Sequence, residues 1–288
     1  MWADDQHWLP SVFAGDDVIG DFVFRDEATI LEQRVEVLPP GRLQRDEERT
    51  RRLRVDHLVF GVPGTLEEAC AAFEQKTGVA PLIGGVHRGL GTHNALVALG
   101  GPDDGSAGAS CGYLEILALD PKQQPTPERL WMAMEGVVRR GEPRMVTWAT
   151  DRAEPPGLEA AVAAAAARGF ETGAVQAFAR DTADGRPLAW KLAYRHYDEA
   201  SLPADGLVPF LIEWDAACRS YAPAAGAPRG CELLSLQAAA GAAHEEAAAG
   251  LAAVGIDPAD LLVPGALPDA RGRLVATLRT PKGIVELS

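Results

Sequence analysis

Three times along this chain the same order of signals returns. An apolar strand is followed by a helix opening near Leu-Glu or Glu-Glu, then by further strands, the last of which carries a glutamate in an apolar run. Strands alternate faces at every residue and helices repeat every 3.6, so this order dictates an α+β fold of repeated βαβββ modules, about three of them. In the first copy "LRVDHLVFGV" is the strand. "TLEEACAAFEQKTG" is the helix, with Thr65 as N-cap, Glu68 completing a capping box and Gly78 as terminator. "NALVALGG" and "GYLEILAL" follow as strands joined by "PDDGSAGASC", and the copy closes on Glu115. The second copy runs from "RMVTWATD" through the helix "GLEAAVAAAAARG" to three strands, closing on Glu213. The third runs from "CELLSLQ" to a hairpin across Pro281, Lys282 and Gly283, closing on Glu286.

These spacings divide the chain into a module at 53–121, a helical connector at 122–143, a second module at 144–216 and a third at 217–288. Concave sheets built from such units form a cup, into which alternate residues of a strand point. His57 lies on a first strand and Glu115 on a last strand of the same module, so both are candidates for the cup. The Gly-rich stretch "GGVHRGLGTHN" is expected to line or cover it, with His87, His93 and Asn94 available to orient substrate oxygens and Arg88 to bind a carboxylate. Trp148 and Trp190 are candidate pocket-wall or core aromatics.

A formal net charge of −14 argues against a nucleic-acid backbone or an anionic membrane as partner. The four cysteines, Cys70, Cys111, Cys218 and Cys231, are scattered and read as reduced thiols. No apolar run is long enough to span a bilayer, and the N-terminus has no signal-peptide pattern. The expectation is a cytoplasmic protein with a small-molecule ligand, as a monomer or a homodimer.

Taken together, "VDHLVFGVPGTLEEACAAFEQKTGV", "GGVHRGLGTHNALVALG", "YLEILALDP" and "LVPFLIEWD" resemble the glyoxalase-like domain proteins of the vicinal oxygen chelate superfamily, over roughly 53–288 and most strongly over 53–121. The resemblance implies paired βαβββ modules around a divalent metal that binds neighbouring oxygens of a substrate. On that basis His57, Glu115 and Glu213 match metal ligands, for zinc, manganese, iron or nickel. Glu213 or Glu115, when displaced from the metal, is the implied catalytic base. The fourth ligand position falls on Thr147 or Trp148, neither a good ligand, and Trp148 is then a substrate contact. The implied activity is that of a metal-dependent lyase, isomerase or dioxygenase; the alternative is a metal-free protein that binds or sequesters a small organic molecule.

Residues 1–38 do not follow the repeat. Their W-x-D-D-x-x-W-x-P pattern and later G-x-F-x-F strand resemble the C-terminal end of Nudix hydrolases acting on oxidised purine nucleoside triphosphates. That resemblance implies base stacking by Trp2 and hydrogen bonding by Asp4 and Asp5, although the glutamate-rich Nudix box is absent. The expectation is that Met1 is an internal residue of a longer Nudix fusion, with "PPGRLQRDEERTRR" (39–52) as a charged linker.

Overall fold

A computed structural model describes residues 3–26, 29–100, 112–123, 130–152, 156–182, 185–195, 202–239, 241–263 and 273–288. The chain opens with helix α1 (Asp5–Phe13) and a hairpin of β1 (Asp17–Asp26) and β2 (Thr29–Leu38). The segment expected to be a linker instead folds as helix α2 (Arg42–Leu53). Its charges are spaced to pair along the helix: Arg42 Nε bonds Asp46 at 2.6 Å and Gln44 bonds Glu48 at 3.0 Å. Leu53, fully buried, ties it to the core, and Arg52 bonds the Asp260 carboxylate at 2.7 Å.

The first module comprises β3 (Val55–Gly61), α3 (Leu66–Thr77), β4 (Leu82–His87), β5 (Thr92–Ala98) and β6 (Tyr113–Leu119). Helix α3 starts on the expected capping box, in which the Thr65 hydroxyl accepts from the Glu68 N–H and Glu68 accepts from the Thr65 N–H, and Gly78 ends it at φ +81°. A short helix α4 (Met134–Arg140) connects to the second module: β7 (Arg144–Asp151), α5 (Leu158–Ala167), β8 (Val175–Asp181), β9 (Pro187–Ala193) and β10 (Phe210–Trp214). The rest comprises α6 (Pro223–Gly226), β11 (Glu232–Ala239), α7 (His244–Ala253), α8 (Pro258–Leu261), β12 (Arg273–Thr280) and β13 (Gly283–Leu287). The joining loop "PDDGSAGASC", with Cys111, lies outside the described residues.

The two modules share one sheet within the chain, ordered β4-β5-β6-β3-β7-β10-β9-β8. In each module the first strand runs parallel to the last, β3 to β6 and β7 to β10, and the modules join where β3 pairs antiparallel with β7. The two halves are thus related by a pseudo-twofold at the β3–β7 seam. One face of the sheet packs against α3, α5 and the third repeat through Leu58, Leu66, Leu114, Trp148, Leu158 and Leu211. The third repeat keeps its own antiparallel sheet, β11-β12-β13, behind that core. The other face curls into a cup. Burying this apolar surface is the main stabilising term of the fold.

Among the described residues no helix is long and apolar enough to cross a membrane. Cys70, Cys218 and Cys231 are free thiols.

Candidate functional site

The concave face encloses a cavity of about 430 Å³ whose two halves differ in chemistry. The strands of module one bring the polar His57, His87, Asn94, Tyr113 and Glu115 to it; those of module two bring Phe178, Trp190, Leu192, Phe210, Ile212 and Trp214, with Arg180 as their one charged lining residue. Strand register explains the split. His57 stands opposite Tyr113 on β6 and opposite Ala149 on β7, and Ala149 stands opposite Phe210 on β10. The pseudo-twofold therefore relates His57 to Ala149, Tyr113 to Phe210 and Glu115 to Ile212. Every polar cavity residue of the first-module pair of strands has an apolar counterpart in the second.

The polar half is tightly bonded. Between Val55 and His57 the register of β3 slips by one residue, a bulge that leaves Asp56 without a partner on β7. Asp56 therefore reaches the side of the sheet that His57 faces, and its carboxylate lies 2.7 Å from His57 Nδ1 while accepting from Trp214 Nε1 at 2.8 Å. The imidazole stacks on Tyr113, with centroids 4.7 Å apart, and takes the Phe210 ring edge-on at 5.3 Å. With Nδ1 engaged, His57 directs Nε2 towards Glu115 Oε2, 3.8 Å away.

Glu115 is 5% exposed, and its Oε1 accepts from Asn94 Nδ2 at 2.6 Å. Asn94 is fixed by the Gly85 N–H, which donates to Oδ1 at 2.7 Å. The irregular pairing of β4 between Ile83 and Val86 admits this approach, and a Cβ on Gly84 would overlap Asn94 Oδ1. His87 lies 2.8 Å from the Thr92 hydroxyl through Nδ1 and 3.6 Å from Glu115 Oε1 through Nε2. Burial pushes the His87 pKa down, nearby Glu115 partly opposes this, and Arg180 adds to the lowering. Burial also raises the Tyr113 phenol well above its ordinary value, reinforced by Asp56 and Glu115.

The structure brings His57, His87, Arg88, Asn94 and Glu115 to one cavity. It does not bring Glu213, His93 or Trp148 there. Phe210, Ile212 and Trp214 face the cavity, so Glu213 between them faces the helices, where Oε2 accepts from the Leu158 N–H at 2.9 Å and caps α5. His93, one residue from Asn94 on β5, is turned to the other face by the same alternation. Trp148 is fully buried on the helix side, donating from Nε1 to the Leu207 carbonyl at 2.9 Å. Trp2 lies outside the described residues. Asp4 accepts from Trp8 Nε1 at 3.2 Å, Asp5 begins α1, and neither lines the cavity.

Asp56, Arg180 and the aromatic wall other than Trp190 were not singled out by the sequence. A Y-x-E or F-x-I-x-W spacing marks residues on one face, and that spacing was the available signal for Tyr113 and Trp214. Nothing local marks Asp56 or Arg180.

The donor set does not fit a metal held in the superfamily's manner. Two of the four symmetry-related positions are Ala149 and Ile212, which offer no ligand. His87 adds a nitrogen, but His57 and His87 approach different oxygens of Glu115, at 3.8 and 3.6 Å. Donors sharing one ion at 2.0–2.2 Å stand only about 3.0–3.5 Å apart. Among the described residues, no three His, Cys, Asp or Glu side chains are arranged to hold a metal ion.

Fold and cup define a glyoxalase-like protein. The family model described as "Glyoxalase-like domain" matches residues 55–260, and the chain belongs to that family. No curated protein matches the chain. Among solved structures, a hypothetical protein from Staphylococcus aureus is similar at 14% identity and TM-score 0.48, over 81% of this chain and 84% of that one. Methylmalonyl-CoA epimerase from Mycobacterium tuberculosis is similar at 16% identity and TM-score 0.34, over 56% and 85%. A variant of Streptomyces coelicolor methylmalonyl-CoA epimerase in complex with 2-nitronate-propionyl-CoA is similar at 15% and 0.34, over 56% and 95%.

Proposed function

We propose that the cavity binds a small organic molecule with a flat apolar body and a carbonyl at its polar end, and that His57 moves a proton there as an isomerase does. The observation carrying this reading is the Asp56–His57 pair, with Nδ1 2.7 Å from the carboxylate and Nε2 directed into the cavity beside Glu115. A carboxylate on Nδ1 selects the tautomer whose Nε2 is free to accept a proton. A carbon acid next to the carbonyl gives its proton to Nε2, and the imidazolium formed lies between the carboxylates of Asp56 and Glu115. Return of the same proton to a neighbouring carbon or oxygen of the enolate on the same face completes an isomerisation without redox change. The aromatic wall of Trp131, Phe178, Trp190 and Trp214 supplies the binding surface for the body of the ligand.

A second reading, sequestration without turnover, is favoured by the size of that apolar wall. Titration of aryl 2-oxo acids, 2-oxoaldehydes and acyl thioesters, followed by tryptophan fluorescence and product analysis, separates the two. Binding with isomerised product supports the enzyme, and saturable binding without product supports sequestration. Absence of binding by all three classes contradicts both. Residues 1–38 precede the family match, which begins at residue 55, and take no part in this reading.

A further inference from the structure

The charged groups of the cavity divide into engaged and unengaged. Glu115 is taken up by Asn94, and Asp56, which does not line the cavity, by His57 and Trp214. Arg88 and Arg180 are exposed residues that line the same cavity, and among the described residues neither guanidinium has a hydrogen-bond or ion-pair partner. The chain carries 41 acidic against 27 basic residues, so carboxylate partners are abundant. Other arginines find them: Arg42 pairs with Asp46, Arg52 with Asp260 and Arg279 with Glu232.

The two arginines come from opposite ends of the sheet. Arg88 lies in the turn after edge strand β4, and Arg180 is near the end of the other edge strand, β8. The sheet curls until these edges approach each other over the cavity. A Cβ on Gly85 of β4 would lie 3.1 Å from Arg180 Nη1 and 3.5 Å from Cζ, so the guanidinium lies close against the glycine backbone. Its charge is also felt inside, where it lowers the pKa values of His87 and Tyr113.

We infer that Arg88 and Arg180 form an anion-binding mouth, and that the ligand of this cavity is an organic carboxylate whose charged end sits between the two edges of the sheet. Guanidinium forks match a carboxylate in plane and spacing, and such charge-assisted bonds are strong where water is partly excluded. Repulsion from Glu115 keeps the anionic end of the ligand at the rim and leaves its apolar body for the aromatic wall. This inference rests on the proposed use of the cavity as a small-molecule site and adds the ligand's charge class.

The test titrates naphthalene-2-carboxylate and naphthalene-2-carboxamide into the full chain and into R180Q, R88Q and the double variant, read by tryptophan fluorescence at low and high sodium chloride. Both arginines are exposed, so the variants retain the fold, which circular dichroism verifies. The acid binds at least about tenfold tighter than the amide to wild type, the scale of one charged hydrogen bond. Each single variant narrows the difference, and salt and the double variant abolish it. Equal affinity for acid and amide, or a preference that survives in the double variant, overturns the anion inference and leaves the cavity reading intact. Binding of neither compound overturns the cavity reading and this inference with it.

Discussion

Asp56 and His57 are neighbours in the chain, yet both act on the same side of the sheet, joined through Oδ1 and Nδ1 at 2.7 Å. A regular strand would send them to opposite faces. The bulge between Val55 and His57 removes that constraint, and Trp214 from the second module clamps the free carboxylate oxygen at 2.8 Å. The imidazole of the first module is therefore oriented with help from the second, even though the position symmetric to His57 is Ala149.

Glu213 is a helix cap in this arrangement. E213Q weakens the charge facing the α5 N-terminus and lowers stability by about 1 kcal/mol, as loss of such a cap does. Urea unfolding measures the loss. Ligand affinity stays unchanged, and a lost affinity would place Glu213 in the cavity.

The spacing of His57, His87 and Glu115 predicts that the purified protein carries no stoichiometric zinc, manganese, iron or nickel. Plasma mass spectrometry measures this directly. One equivalent of metal in wild type, lost in both H57A and E115Q, would contradict the donor analysis.

His87 has a folded pKa below its ordinary value of 6.5, chiefly through burial. The unfolded chain therefore binds the proton more readily. The contribution is fully present above the ordinary histidine value and is lost as pH falls through the depressed folded value. Thermal midpoints of wild type and H87N from pH 8 to 5 should show a steeper acid loss in wild type. Parallel curves would remove His87 as a source of that loss.

Gly84 admits Asn94 to Glu115. Gly84→Ala places a methyl on top of Asn94 Oδ1, whereas Gly226→Ala meets nothing within 4 Å. The first substitution costs about 1–3 kcal/mol by overpacking and perturbs the Asn94 side-chain amide in NMR spectra. The second leaves that resonance in place.

Much of this was legible in the sequence. Alternation of apolar residues marked the two modules, and Y-x-E in "YLEIL" put Tyr113 and Glu115 on one face. The same alternation was ambiguous in "FLIEW", because a face is assigned by register and a shift of one residue reverses it. The likeness between two strand-end glutamates suggested a symmetric pair, whereas pairing relates Glu115 to Ile212. The bulge at Asp56 leaves no composition signal. Arg180 meets the opposite edge only because the whole sheet curls, a tertiary property that no local window contains. Charge density in 39–52 read as linker, although its oppositely charged and polar residues lie four apart, as a helix requires.

The most direct measurement of the central claim is deuterium incorporation next to the carbonyl. 3-Aryl-2-oxopropanoates, which carry protons on the carbon beside the carbonyl, are incubated with the protein in heavy water and followed by proton NMR. Wild type is predicted to exchange the proton, H57Q to lose about 10²–10⁴-fold of the rate, and D56N to fall between them. Wild-type exchange no faster than buffer, or exchange undiminished in H57Q, would contradict the assignment of His57 as the base.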